Sequence, residues 1–269
     1  MFAIVFIGLA LSLLALLGLG LFAIADVAFA GPPNLHDKKR WQPPLARGND
    51  LLNWAAGMAN AVATKRLHQP LGKETARELA MEIYEGSSFA IARAPGAVRP
   101  LKPRCTSCRH RMIGVTAPEA LAIADEIQTS QSKPEVKRIR DLAAANAAAS
   151  AGLDHAQYKE AQLVCPLLTC DSTCVVYDAR PISCRGWSPA KGDESSLQNA
   201  RKSCVAPDFH ADAVGRGAEE GLSQALESAG LGGEIYELNS ALAVALSNAE
   251  APAQWVRGEP VFAGCHEYA

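Results

Sequence analysis

Eight cysteines carry the chemistry this chain can offer: Cys105, Cys108, Cys165, Cys170, Cys174, Cys184, Cys204 and Cys265. None precedes residue 105. Cys105-Thr-Ser-Cys108 is a C-x2-C pair, the spacing that turns two thiolates toward one ion while backbone amides point at the sulfurs. The same spacing also serves a redox pair or a structural knuckle. A thioredoxin-like redox motif needs a strand before it and a helix after it. Here Pro95, Pro100 and Pro103 make the approach extended, which argues against that use.

The second segment holds more. Cys165-Pro-Leu-Leu is followed by Cys174-Val-Val-Tyr177-Asp-Ala-Arg180-Pro181, then Ile-Ser-Cys184-Arg185-Gly-Trp187. These gaps do not fit one face of a helix. Tyr177-x-x-Arg180-Pro181 sets a turn between two of the cysteines. Four thiolates around Zn²⁺ leave a net charge near −2, and a four-cysteine iron–sulfur cluster is anionic too. Arg180 and Arg185 are therefore candidate groups to offset that charge or donate to sulfur from just outside the ligands.

Cys-Pro-Leu-Leu, Cys-Val-Val-Tyr-Asp-Ala-Arg-Pro and Cys-Arg-Gly-Trp resemble the YkgJ-type cysteine-cluster family, described as a zinc- or iron-chelating domain and similar to flagellin N-methylase. The resemblance spans roughly residues 105 to 204. The family pattern CxxCxxCC places cysteines where this chain has Arg111 and Met112, and His110 is the neighbouring nitrogen donor. The resemblance implies metal binding by a cysteine cluster, and the similarity to flagellin N-methylase implies an alternative, methyl transfer from S-adenosylmethionine to protein lysines. Together, the spacing and the resemblance select Cys105, Cys108, Cys174 and Cys184, then Cys165 and Cys204, as metal ligands. Cys170 is an additional thiol, and Cys265, beside His266, reads as a solvent-facing tail thiol. Zinc and an iron–sulfur cluster share thiolate ligands, so spacing leaves both open.

Other chemistry is less in evidence. Gly230-Leu-Gly232-Gly233 lacks the strand that a nucleotide loop needs, and there is no C-x3-C-x2-C run of a radical enzyme. No acid/base carboxylate pair or nucleophile–base constellation stands out, so the reading favours a structural, sensory or electron-transfer role over an enzyme. A net charge of −2 and a pI near 6.3 give no basic surface for nucleic acid.

The elements that must position these residues read as mainly α-helical. Phe2–Ala25 is an apolar run of helix-spanning length, followed by Lys38-Lys39-Arg40. It predicts a single-pass anchor in the inner membrane with the rest of the chain cytoplasmic. A cleaved signal peptide, and with it an exported domain stapled by disulfides, is the competing reading; the run lacks a basic n-region and is long for one. The expected organisation is an anchor over 1–25, a proline-rich linker over 26–49 and a helical segment over 50–104. A cysteine-cluster domain over 105–204 follows, with C-terminal helices over 205–269 packing on it. Helices are expected at about 50–68, 73–93, 116–128, 134–149, 194–204, 209–228 and 234–248, with Tyr236, Leu238 and Leu242 forming a buried helical stripe. Thr116 and Glu119 make a capping box. Val175-Val176-Tyr177 is the one strand-like run, and Lys137, Arg138 and Arg140 form a solvated face.

Overall fold

The computed structural model describes residues 41–44, 48–94, 109–187 and 208–268. In chain order the elements are α1 (Asn49–Leu67), α2 (Thr75–Arg93), β1 (Gly114–Thr116) and α3 (Ala117–Ser130). Then come α4 (Lys133–Ser150), α5 (His155–Glu160), a 3-10 turn (Tyr177–Ala179) and α6 (Ile182–Gly186). The last are α7 (Phe209–Ser228), β2 (Ile235–Glu237), α8 (Leu238–Ser247) and α9 (Ala251–Val256).

The mainly helical expectation holds, and its membrane part is corrected. Among the described residues no helix is long and apolar enough to cross a membrane. The three longest, α1, α2 and α7, are broken by charge: Asp50, Lys65 and Arg66 in the first, Arg77, Glu78, Glu82 and Glu85 in the second, Asp212, Arg216, Glu219 and Glu220 in the third. Such side chains cost several kcal/mol each in hydrocarbon, roughly 2.5–3.5 for Asp, Lys and Arg at a helix centre. Residues 1–25, on which the expected anchor and inner-membrane location rest, lie outside the described residues. The helix expected at 194–204 lies outside them as well.

Helix α1 buries Leu51, Ala55, Ala59 and Val62, a stripe at helical spacing, against α7. The two helices approach closely because α7 presents glycine. A Cβ on Gly217 would sit 2.2 Å from the Leu52 carbonyl oxygen, and one on Gly221 would sit 2.0 Å from that of Ala56. Asn60 Nδ2 donates to Gly221 O across the seam at 3.4 Å. Asp208 caps α7, accepting the N–H groups of His210 and Ala211 at 2.9 and 3.0 Å. Helix α2 buries Leu79, Ile83 and Ile91 and packs on α3, α7 and α6. Trp41, inside the stretch expected as linker, is buried: its indole occupies the space a side chain at Gly86 would need.

The two short strands are absent from the sequence reading. β1 pairs antiparallel with β2, with Gly114 opposite Glu237, Val115 opposite Tyr236 and Thr116 opposite Ile235. Tyr236 is thus a strand residue and not part of a helical stripe. The stretch 266–268 adds to the other edge of β2: Glu237 N–H donates to His266 O and Tyr268 N–H to Ile235 O, both at 2.8 Å. Each strand runs directly into a helix capped by a glutamate. Before α3, the Thr116 N–H and hydroxyl both donate to Glu119 at 2.9 Å; before α8, Glu237 accepts the Ser240 N–H at 3.0 Å. Helix α8 packs on α4 and α3. Lys137, Arg138 and Arg140 pair with Asp141, Glu135 and Asp141, the solvated face expected of them.

Candidate metal centre

A tight hairpin carries the first two described candidate ligands. Val175 N–H donates to Leu167 O and Thr169 N–H to Thr173 O, both at 2.9 Å, and Leu168 bridges Cys174. Asp171 and Ser172 supply the turn; Ser172 has φ of 63°, and the Asp171 carboxylate accepts from the Thr169 and Thr173 hydroxyls. Cys165 stands half-buried at the base, Cys174 half-buried on the return strand, and Cys170 exposed near the tip. The hairpin is fastened from outside. Asn146 Nδ2 donates to Val164 O at 2.8 Å, and Arg138 Nη2 donates to Pro166 O at 3.2 Å. The Cys165 N–H donates to Arg109 O at 2.9 Å. Arg109 directly follows Cys108 in the chain.

Cys184 is set by α6. The run Val175-Val176-Tyr177, expected to be strand-like, forms no strand: after the bridge at Cys174 it turns into the 3-10 turn over Tyr177–Ala179, and Pro181 precedes α6, accepting the Cys184 N–H at 3.0 Å. Three contacts fix the helix. Ile182 is fully buried and its N–H donates to Glu119 Oε1 at 2.9 Å. Ser183 Oγ donates to Gly114 O at 2.8 Å. Gly186 and Gly215 of α7 meet backbone to backbone, so that a Cβ on Gly215 would lie 2.8 Å from Gly186 Cα.

Arginines surround these two segments. Arg185 is committed to the fold: Nε donates to Arg180 O at 2.8 Å, Nη1 to Ser88 Oγ at 2.8 Å, and Nη2 to Asp178 O, with the guanidinium over the Tyr84 ring at 4.4 Å. Burial pushes its pKa down, and Arg180 nearby pushes the same way. Arg180 lies over Tyr177 at 4.2 Å and Arg111 over Trp187 at 4.0 Å, which gives both aromatic residues a packing role. The Nε atoms of Arg109 and Arg180 are buried with no hydrogen-bond partner. Two orphaned cationic donors, each next to a cysteine segment, fit an anionic thiolate–metal group, whose sulfurs accept hydrogen bonds. His110 Nδ1 lies 3.2 Å from Leu163 O, the contact by which a ligating histidine fixes its tautomer and leaves Nε2 as acceptor.

Behind α6 lies a pair of buried carboxyls that the sequence did not single out as a pair. Glu119 is fully buried; burial pushes its pKa up, and hydrogen bonds from Ile182 and Thr116 pull against it. Glu219 of α7 is 8% exposed, its Oε1 has no hydrogen-bond partner, and burial, aided by Glu119, pushes its pKa up to about 8. Arg111 opposes that shift in Glu219. Burial holds the Tyr84 hydroxyl protonated, with Glu119 next in effect. Glu219 lies among Gly217, Ala218, Gly221 and Leu222, all of them buried on α7.

Of the expected ligands, Cys165, Cys174 and Cys184 lie in the described residues, while Cys105, Cys108 and Cys204 lie outside them. Among the described residues no group of three or more His, Cys, Asp or Glu side chains is arranged to hold a metal ion. Cys265 is half-buried, with its thiol pKa raised by burial, and sits apart beside Ser240. No family model, curated protein or solved structure matches the chain.

Proposed function

We propose that this chain is a cysteine-cluster metal-binding protein. Cys165, Cys174 and Cys184, together with Cys105, Cys108 and Cys204, hold zinc or an iron–sulfur cluster in a structural, sensory or electron-transfer role. The observation that carries the reading is the bond from the Cys165 N–H to Arg109 O. It sets the second cysteine segment against Arg109, the residue that follows Cys108 in the chain. The orphaned Nε atoms of Arg109 and Arg180 supply the positive surroundings an anionic thiolate group needs.

Zinc would cross-link the segments, and an iron–sulfur cluster would add one-electron redox chemistry. The chain's own residues fix the thiols: Asn146 and Arg138 hold the hairpin, and Glu119 holds α6. Metal analysis and an optical spectrum on anaerobically purified full-length protein test the reading. Iron with acid-labile sulfide, or stoichiometric zinc with a featureless visible spectrum, supports it and chooses the metal. Protein that is folded and metal-free overturns it.

A further inference from the structure

Cys165 sits between two fixed peptide planes. Val164 O and the Cys165 N–H belong to one peptide unit, and both ends of it are bonded. The carbonyl accepts from Asn146 Nδ2 at 2.8 Å, and the N–H donates to Arg109 O at 2.9 Å. The following unit is held too, with Cys165 O accepting the Leu168 N–H at 3.2 Å. Two fixed planes fix the direction in which Cys165 projects its Cβ.

Asn146 does not act alone. Its Nδ2, on α4, donates a second bond to Asn239 Oδ1 on α8 at 3.1 Å. Asn239 Nδ2 donates in turn to Tyr158 Oη of α5 at 2.9 Å and to Glu237 Oε1, at the end of β2, at 2.6 Å. Glu237 Oε2 takes the Ser240 N–H at 3.0 Å. Asn146, Tyr158, Glu237 and Asn239 are each at most 5% exposed. Burial, with Glu237 next in effect, pushes the Tyr158 hydroxyl pKa up, so it stays a neutral group that donates to Glu237.

The bonding has one consistent sense. Val164 O can only accept, so Asn146 must present its nitrogen there. The second proton on that nitrogen needs an acceptor. Asn239 therefore offers Oδ1 and turns its own nitrogen to Tyr158 and Glu237. Replacing both partners of a buried hydrogen bond by apolar groups of the same shape is nearly neutral for stability. A satisfied polar cluster does what apolar packing does not: it holds one chosen carbonyl in one place. The carbonyl held here is the one that precedes Cys165.

We infer that Asn146, oriented by Asn239, is a positioning residue of the metal centre: it fixes the peptide unit ahead of Cys165 and so aims that thiolate at the metal. The role presupposes the proposed cysteine-cluster function and adds to it two residues that act through the backbone.

Anaerobic Co²⁺ titration of the full chain, read by thiolate-to-cobalt charge-transfer absorption, tests it. Asn146→Leu and Asn239→Leu should each weaken Co²⁺ binding roughly tenfold or more, the loss of an outer partner of a metal ligand costing about 10–100-fold. In a Cys165→Ser background Asn146→Leu should have no further effect, because the thiol it aims is gone. Gly217→Ala, which strains the α1–α7 seam, should leave the affinity unchanged and separates positioning from a general loss of stability. In the native chain, whether or not a variant folds, the Cys165 amide should exchange hydrogen far more slowly than that of the exposed Cys170. A native chain that binds no Co²⁺ overturns the cysteine-cluster function and the role of Asn146 with it. A native chain that binds Co²⁺ overturns the role of Asn146 alone if Asn146→Leu binds as tightly, or if the loss is equal in the Cys165→Ser background or in Gly217→Ala. A Cys165 amide that exchanges as fast as that of Cys170 does the same.

Discussion

Glu119 and Ile182 join α3 to the helix that carries Cys184: the Ile182 N–H, at the start of α6, donates to Glu119 Oε1 at 2.9 Å, while Glu119 Oε2 takes the Thr116 N–H. One buried carboxyl thus caps α3 and positions α6. Glu119→Ala leaves buried donors without acceptors and should lower the unfolding free energy by about 2–5 kcal/mol. Glu119→Gln keeps one acceptor and should cost about 1–2 kcal/mol. Urea unfolding of both variants checks the order; equal loss would mean the carboxyl acts by filling space alone.

The α1–α7 seam makes opposite predictions for glycines of two neighbouring helices. Gly217→Ala and Gly221→Ala drive a methyl into the carbonyls of Leu52 and Ala56, and each should destabilise by about 2 kcal/mol or more. Gly57 lies in the middle of α1 with nothing within 4 Å of its would-be Cβ. Gly57→Ala should stabilise by about 0.5–1 kcal/mol. Thermal melts of the three variants suffice.

Glu219 gives a pH dependence with a definite sign. Its carboxyl holds a proton up to about pH 8 in the folded chain, against an ordinary value of 4.5. Between these values the folded state binds more protons than the unfolded one. Its contribution is therefore intact below pH 4.5 and is lost as pH rises toward 8, by at most about 1.4 kcal/mol per pH unit. Glu82, raised to about 7 chiefly by burial, acts in the same direction. Stability measured from pH 5 to 8 should fall less steeply in Glu219→Gln than in the native chain, and parallel curves would refute the assignment.

The cysteines separate into two groups. Cys165→Ser, Cys174→Ser and Cys184→Ser should each reduce bound metal to a small fraction of one centre per chain. Cys170→Ser, at the exposed end of the hairpin, and Cys265→Ser, beside Ser240, should leave it unchanged. Metal-to-protein ratios on folded variants decide, and full retention in Cys174→Ser would count against the proposed ligand set.

Where one segment's own chemistry decides its conformation, the sequence was readable. Thr116 and Glu119 announce α3, and the Leu79, Ile83 and Ile91 spacing announces α2. The β1–β2 ladder was not, because three residues are too short to show alternation and the pairing joins Val115 to Tyr236. The same cause hid the roles of Gly217 and Glu219: both depend on which helix lies opposite, and periodicity along α7 does not name its partner. In the candidate centre, the spacing of the cysteines and arginines was visible. That Arg185 spends its donors on Arg180, Ser88 and Asp178 follows only from the fold.

The α1–α7 seam also sets an order of events at the ribosome. Asn60 and Gly221 are 161 positions apart. At roughly 5–20 residues per second, α1 is synthesised about 10 to 30 seconds before the helix that covers it. For that interval its Leu51, Ala55 and Val62 face has no native cover, and a nascent chain stalled before α7 is the form of this protein that chaperones should bind most avidly.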